Sequence, residues 1–224
     1  MKTKKFLIAV ISLCVVLLAF TYLWSEQYYM QVSLMMIVLI MIPFFARFEY
    51  RKSQPEEIVL ISLMAAIAAV ARIPFASLPS VQPTSFVIMV SALSFGGETG
   101  FLIGAVAALV SNLFLGQGPW TPWQMFAWGM MGLITGLLRG TFLLRQKYLR
   151  LIYVFLWGLV FGWFMNLWYL TSLQEGFAAA FLVSCISSFP MDAAHGITNV
   201  ILIYFFAGRW NRILDRSIQK YGLR

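Results

Sequence analysis

The sequence predicts an all-α integral membrane protein of about eight spanning helices, and three observations carry that prediction. The 224-residue chain is 61% hydrophobic and 11% charged, with a mean hydropathy of +0.84. So few polar side chains cannot clothe a soluble surface. Apolar runs recur at or near the length of about 20 residues that a bilayer demands. The turns between those runs alternate between basic and nearly uncharged. Lys2, Lys4, Lys5, Arg47, Arg51, Lys52, Arg139, Arg145, Lys147, Arg150, Arg209, Arg212, Arg216, Lys220 and Arg224 fall in one set, which is 15 of the 16 Lys and Arg residues. Cytoplasmic loops retain such residues, so this set and both termini are expected inside a bacterial cytoplasmic membrane. The net charge of +8 is then positive-inside bias and headgroup contact rather than a nucleic-acid surface.

The expected spans are 6–24, 31–46, 57–74, 84–97, 99–116, 121–139, 151–171 and 188–208. The first has the basic start and apolar centre of a signal peptide. No small-x-small cleavage site follows it, so it reads as a retained helix. Cys14 and Cys185 lie in apolar runs without metal-ligand spacing and read as small buried hydrophobes. The turn RFEYRKSQPEE (47–57) is the most polar internal stretch and the best boundary. Two helices in 1–52 precede a six-helix unit in 53–224. Ser53, Pro55, Glu56 and Glu57 have the character of a helix start, with a capping hydroxyl, a first-turn proline and acids against the positive dipole end. The run 177–207 exceeds one span, and Pro190 is expected to break it, leaving 177–189 as a short outer helix or re-entrant segment.

Small residues recur four apart at Ala65/Ala69, Gly100/Gly104/Ala108, Gly132/Gly136/Gly140 and Gly158/Gly162. Such faces let helix backbones approach closely. Three polar clusters lie toward the outer side. LGQGPWTPWQ (115–124) presents Gln117, Trp120, Trp123 and Gln124 on a backbone fixed by Gly and Pro, which suits either an interfacial aromatic anchor or the wall of a binding site. RIPFASLPSVQPT (72–84) holds Arg72, Gln82 and Thr84 among three prolines; Arg72 either snorkels to headgroups or faces a solute. Asp192, His195 and Asn199 share a helical face, as an interhelical hydrogen-bond network or as solute contacts. Asn112, Trp163 and Asn166 add to the same side.

The motifs that are missing narrow the classes. No phosphate-binding G-x-x-x-x-G-K-[ST], no G-x-S-x-G and no H-E-x-x-H occurs, so no catalytic or metal residues are expected. An intramembrane enzyme using Asp192 and His195 as an acid–base pair is the alternative from another class, and a self-sufficient channel is a third.

From about Glu57 to Arg212 the chain resembles the substrate-binding S components of energy-coupling factor (ECF) transporters. The likeness rests on Ala65-x-x-x-Ala69, on VQPTSF (81–86) with FGGETGFLIGAVAALVSNLFLGQGPWTPWQMFAWGMMG (95–132), and on Asp192-x-x-His195-x-x-x-Asn199. The resemblance implies a six-helix binding core that captures a micronutrient outside and topples when docked. Its partners would be a transmembrane coupling (T) subunit, met at Ala65 and Ala69, and two ATPases that use ATP. It implies no permanently bound cofactor. In appearance the chain is closest to the cobalamin-specific type, which makes a corrinoid the expected substrate, with a queuosine precursor or another heterocyclic vitamin as the alternative.

Overall fold

The computed structural model describes residues 54–78, 80–170 and 177–223, with isolated positions at 12, 16 and 39. The two expected N-terminal helices, Cys14 and Ser53 lie outside the described residues. Seven helices and no strand are found among the residues described: α1 Pro55–Val70, α2 Thr84–Phe95, α3 Gly97–Leu115, α4 Thr121–Leu137, α5 Phe142–Arg145, α6 Lys147–Leu170 and α7 Phe177–Lys220. Gly97–Leu115 and Lys147–Trp168 are long and apolar enough to cross a membrane, and Thr84–Phe95 is a shorter apolar helix.

Helix α1 starts at Pro55, with Gln54 extended before it and Glu56 and Glu57 in the first turn, where the peptide dipoles favour acids. The turn from α2 to α3 passes through Gly96 at φ 101°, a conformation that side chains resist. The Arg139 guanidinium packs over that glycine and donates to the Ser94 carbonyl at 3.2 Å, tying the inner end of α4 to the turn.

The largest interface joins α3 to α4, and the next joins α6 to α7. Both are glycine seams. A Cβ on Gly132 would meet the Gly100 backbone, one on Gly104 the backbone of Trp128, and one on Gly136 the backbone of Gly97. Gly158 lies against Gly196, and Gly162 against the Asp192 carboxylate. The four-residue spacing therefore serves packing within the chain. Gly140 is an exception: it sits in the turn after α4 at φ 79°, off the seam.

Two expectations are corrected. Helix α7 runs unbroken through Pro190. A proline removes one helical hydrogen bond and costs about 3 kcal/mol, a loss that membrane helices tolerate where neighbours supply other bonds. Here Asp192 bonds Ser188, His195 bonds Ser85, and Asn199 bonds the Val154 carbonyl. At 44 residues α7 is about 66 Å long, roughly twice the hydrocarbon thickness, so its basic Arg209–Lys220 end must project. The second correction concerns α1. Ala65 and Ala69 are 3% and 1% exposed, packed within the bundle, so they offer no face to another subunit. The outward face of α1 carries Val59, Ser62, Leu63, Ala66 and Val70. It too has small residues four apart, at Ser62 and Ala66, about 60° round the helix from the expected pair.

Ile152, Leu156, Val160 and Trp163 form an exposed apolar stripe along α6, with Ile197, Ile201 and Phe205 exposed on α7. Stripes of this length suit contact with lipid. The glycine seam yields a first prediction. Gly132→Ala forces Cβ into the Gly100 carbonyl and should destabilise the protein by about 1–3 kcal/mol, read as a lowered melting temperature in detergent. Gly208→Ala, where a Cβ meets nothing within 4 Å, should leave it unchanged.

Candidate functional site

At the end of the bundle expected to lie outside, the turn after α1 delivers Arg72 to the end of α3. Its Nη1 donates to Ser111 Oγ at 3.0 Å and to Asn112 Oδ1 at 2.5 Å. A guanidinium only donates, so this contact fixes which way the Asn112 amide points. Asn112 Nδ2 must then donate onward, and it reaches Thr121 Oγ1 at 2.9 Å and Gln124 Oε1 at 2.8 Å. The Thr121 hydroxyl donates to Gln117 Oε1 at 2.8 Å, and Gln117 Nε2 donates to the Leu109 carbonyl at 3.0 Å. One cation thus orders a chain of amides joining α3, the 116–120 turn and the first turn of α4. Ser111, Asn112 and Thr121 are buried, and Gln124 nearly so.

Aromatic rings surround this network. Trp120 lies 5.7 Å from Trp168, and Trp123 lies 5.5 Å from Phe164. Below them Arg72 sits 5.2 Å above the Trp128 ring, which stacks on Phe161 at 4.8 Å. Trp128 Nε1 donates to Ser85 Oγ at 3.1 Å, and Ser85 Oγ lies 2.7 Å from His195 Nε2. The indole can only donate, so Ser85 Oγ accepts from Trp128, and it shares a second hydrogen bond with His195 Nε2 whose direction follows the imidazole tautomer. Phe161 meets the imidazole edge to face at 5.3 Å.

The Ser85–His195 pair has the spacing of a nucleophile and its base, but Ser85 and Trp128 are 0% exposed and His195 4%, leaving no room for a reacting group. The Asp192 carboxylate accepts from Ser188 at 2.7 Å, and Ser188 Oγ also meets Asn166 Nδ2 at 3.0 Å. The arrangement is a buried lock joining α2, α4 and α7.

The expected site residues therefore separate. Arg72, Asn112, Gln117 and Gln124 form one network, with Trp120 and Trp123 beside it. Asp192 and Asn166 form a second, between α6 and α7. Thr84 donates to the Ala68 carbonyl at 2.9 Å, and with His195 and Asn199 it ties helices together. Trp163 is 39% exposed and takes no part in the ring contacts given above. Gln82 is half-buried in the proline turn. The sequence reading passed over Ser85, Ser111, Thr121 and Trp128. Ser111 and Ser85 stood beside residues it had singled out, whereas nothing in the local sequence marks Trp128 as the link between the two layers. Ser85→Ala would strand the Trp128 indole and should cost about 1–3 kcal/mol of stability in a thermal melt.

The chain's likenesses accord with a membrane transport component. Residues 52–208 match the family described as the ECF-type riboflavin transporter, S component. Among relatives, a UPF0397 protein of Aliivibrio fischeri strain MJ11 is 26% identical over 180 residues, covering 74% of this chain and 94% of the relative. A UPF0397 protein of Vibrio atlanticus is 29% identical over 85 residues, 36% of this chain and 46% of that one. No solved structure matches the chain. The expectation of a cobalamin-specific type finds no support in these likenesses. A match spanning residues 52–208 places the chain in the family of S components of ECF-type riboflavin transporters.

Proposed function

We propose that this chain is the membrane-embedded binding subunit of an ATP-driven importer that captures a flat heterocyclic micronutrient, with riboflavin the first candidate. The observation that carries the reading is the outer network itself. A pre-ordered set of amide and guanidinium donors, set between the Trp120–Trp168 and Trp123–Phe164 ring pairs, offers planar surface and directional hydrogen bonds in one place. Binding sites for small solutes combine such apolar walls with few, well-placed polar groups. The family match to the riboflavin type favours a vitamin of that shape over a corrinoid.

In this reading the basic turns and both termini lie in the cytoplasm and the outer network faces the solute. A transmembrane coupling subunit and two ATPases supply the energy, and no cofactor stays bound to this chain. The Ser62/Ala66 face of α1 takes over the docking role first assigned to Ala65 and Ala69.

Two outcomes test this. Riboflavin should bind the purified protein in detergent, one to one, without partner or ATP. Trp120→Ala and Gln124→Ala should each weaken it by about 1–3 kcal/mol in equilibrium titration. Saturable cobalamin binding with no riboflavin binding would instead restore the corrinoid. Ala66→Trp should abolish uptake by cells while leaving binding intact; loss of both would remove α1 as the docking face.

A further inference from the structure

The outer network selects by hydrogen-bond sense as well as by shape. Each of its side-chain oxygens already accepts a bond: Ser111 Oγ and Asn112 Oδ1 from Arg72, Thr121 Oγ1 and Gln124 Oε1 from Asn112, and Gln117 Oε1 from Thr121. The direction is set at Arg72, which cannot accept, and it propagates because each amide has one oxygen end and one nitrogen end. What the network leaves over is donors. Arg72 Nε is buried with no hydrogen-bond partner among the described residues, and Gln124 Nε2 and the indole N–H groups of Trp120 and Trp123 are further groups that can only donate.

Among the described residues the charge of Arg72 is also uncompensated. Its company among the described residues is two neutral oxygens and the face of Trp128, with no carboxylate within ion-pair distance. Asp192, the acid of the neighbouring network, is engaged by Ser188. A half-buried cation so placed favours an anion, and a planar guanidinium favours an oxyanion that can take two parallel bonds.

We propose that the site selects solutes carrying a carboxylate or phosphate group, which Arg72 engages while the Gln124 amide and the indoles donate to further acceptors on the same edge. This rests on the binding-subunit reading and narrows it away from riboflavin itself, which carries neither group, toward its phosphate ester or another anionic vitamin. The Arg72–Asn112 contact is the selectivity element: it both holds the charge and orients the amides.

Matched pairs that differ in one charged group make the test. Riboflavin and riboflavin 5′-phosphate, pyridoxal and pyridoxal 5′-phosphate, nicotinamide and nicotinate, and panthenol and pantothenate are titrated against the purified full chain in detergent, by thermal shift and calorimetry. In the pair that binds best, the anionic member should bind at least about tenfold more tightly, the order of effect for a charge-assisted bidentate contact. Arg72→Gln should bring the two members to within about threefold of each other, and Arg72→Lys, which keeps the charge, should retain a preference for the anion. The readout is the ratio within a pair, which a general loss of folding would not invert. Equal binding of both members by the wild type, a preference for the neutral member, or an anion preference that survives Arg72→Gln would overturn the proposal while leaving a binding subunit in place. Stabilisation by none of the probes would remove the binding-subunit reading and this proposal together.

Discussion

The backbone-to-backbone approach of Gly100 and Gly132 sets the distance on which the rest of this bundle depends. It brings α3 and α4 closer than any pair of side chains would allow, and Gly104 extends the seam to the backbone of Trp128. Asn112 on α3 then meets Thr121 and Gln124 on α4 at hydrogen-bond distance without a bridging water. Trp128 is held where its ring can lie beneath Arg72 and its indole nitrogen can reach Ser85. Lipid supplies no hydrophobic drive between helices, so the close contact and the polar bonds it permits carry the association.

The two polar layers differ in kind. The lower one, Ser85 with His195 and Trp128, is closed, and each of its three members is buried and bonded. Interior hydrogen bonds of that sort specify one arrangement, because leaving any partner unmade costs more than the bond itself contributes. In the upper layer the side-chain oxygens accept bonds while Arg72 Nε has no partner among the described residues, the condition on which the proposed selectivity rests.

Much of this was legible in the chain before the fold. The alternating basic turns and apolar runs fixed the class, and the Gly and Ala spacings announced close helix contacts. The cluster in 115–124 marked the outer network because Gly, Pro, Trp and Gln together have few structural excuses. Other features were not legible, for physical reasons. Pro190 looks like a break because propensity counts only the lost bond, while the contacts of His195 with Ser85 and of Asn199 with the Val154 carbonyl come from other helices. On α1 the alanines at 65 and 69 and the pair Ser62 and Ala66 are equally small, and only packing shows which side faces inward. The shared face of Asp192, His195 and Asn199 allows an interhelical network, but the partner of His195, Ser85, lies more than a hundred residues away and only the fold names it.

Transport by an S component that topples as one piece requires a body that keeps its internal contacts while its surroundings change. The interior here suits that demand. The seams bury backbone against backbone, the lock spans three helices without exposure to either side, and the apolar stripes of α6 and α7 lie outside it. Trp128 connects the two layers: one face of the ring supports the Arg72 cation and its nitrogen anchors the Ser85–His195 lock. A solute held by Arg72 is thereby tied to α2, α4 and α7 together rather than to one loop. In the proposed reading, reorientation of the bundle would carry the solute with it.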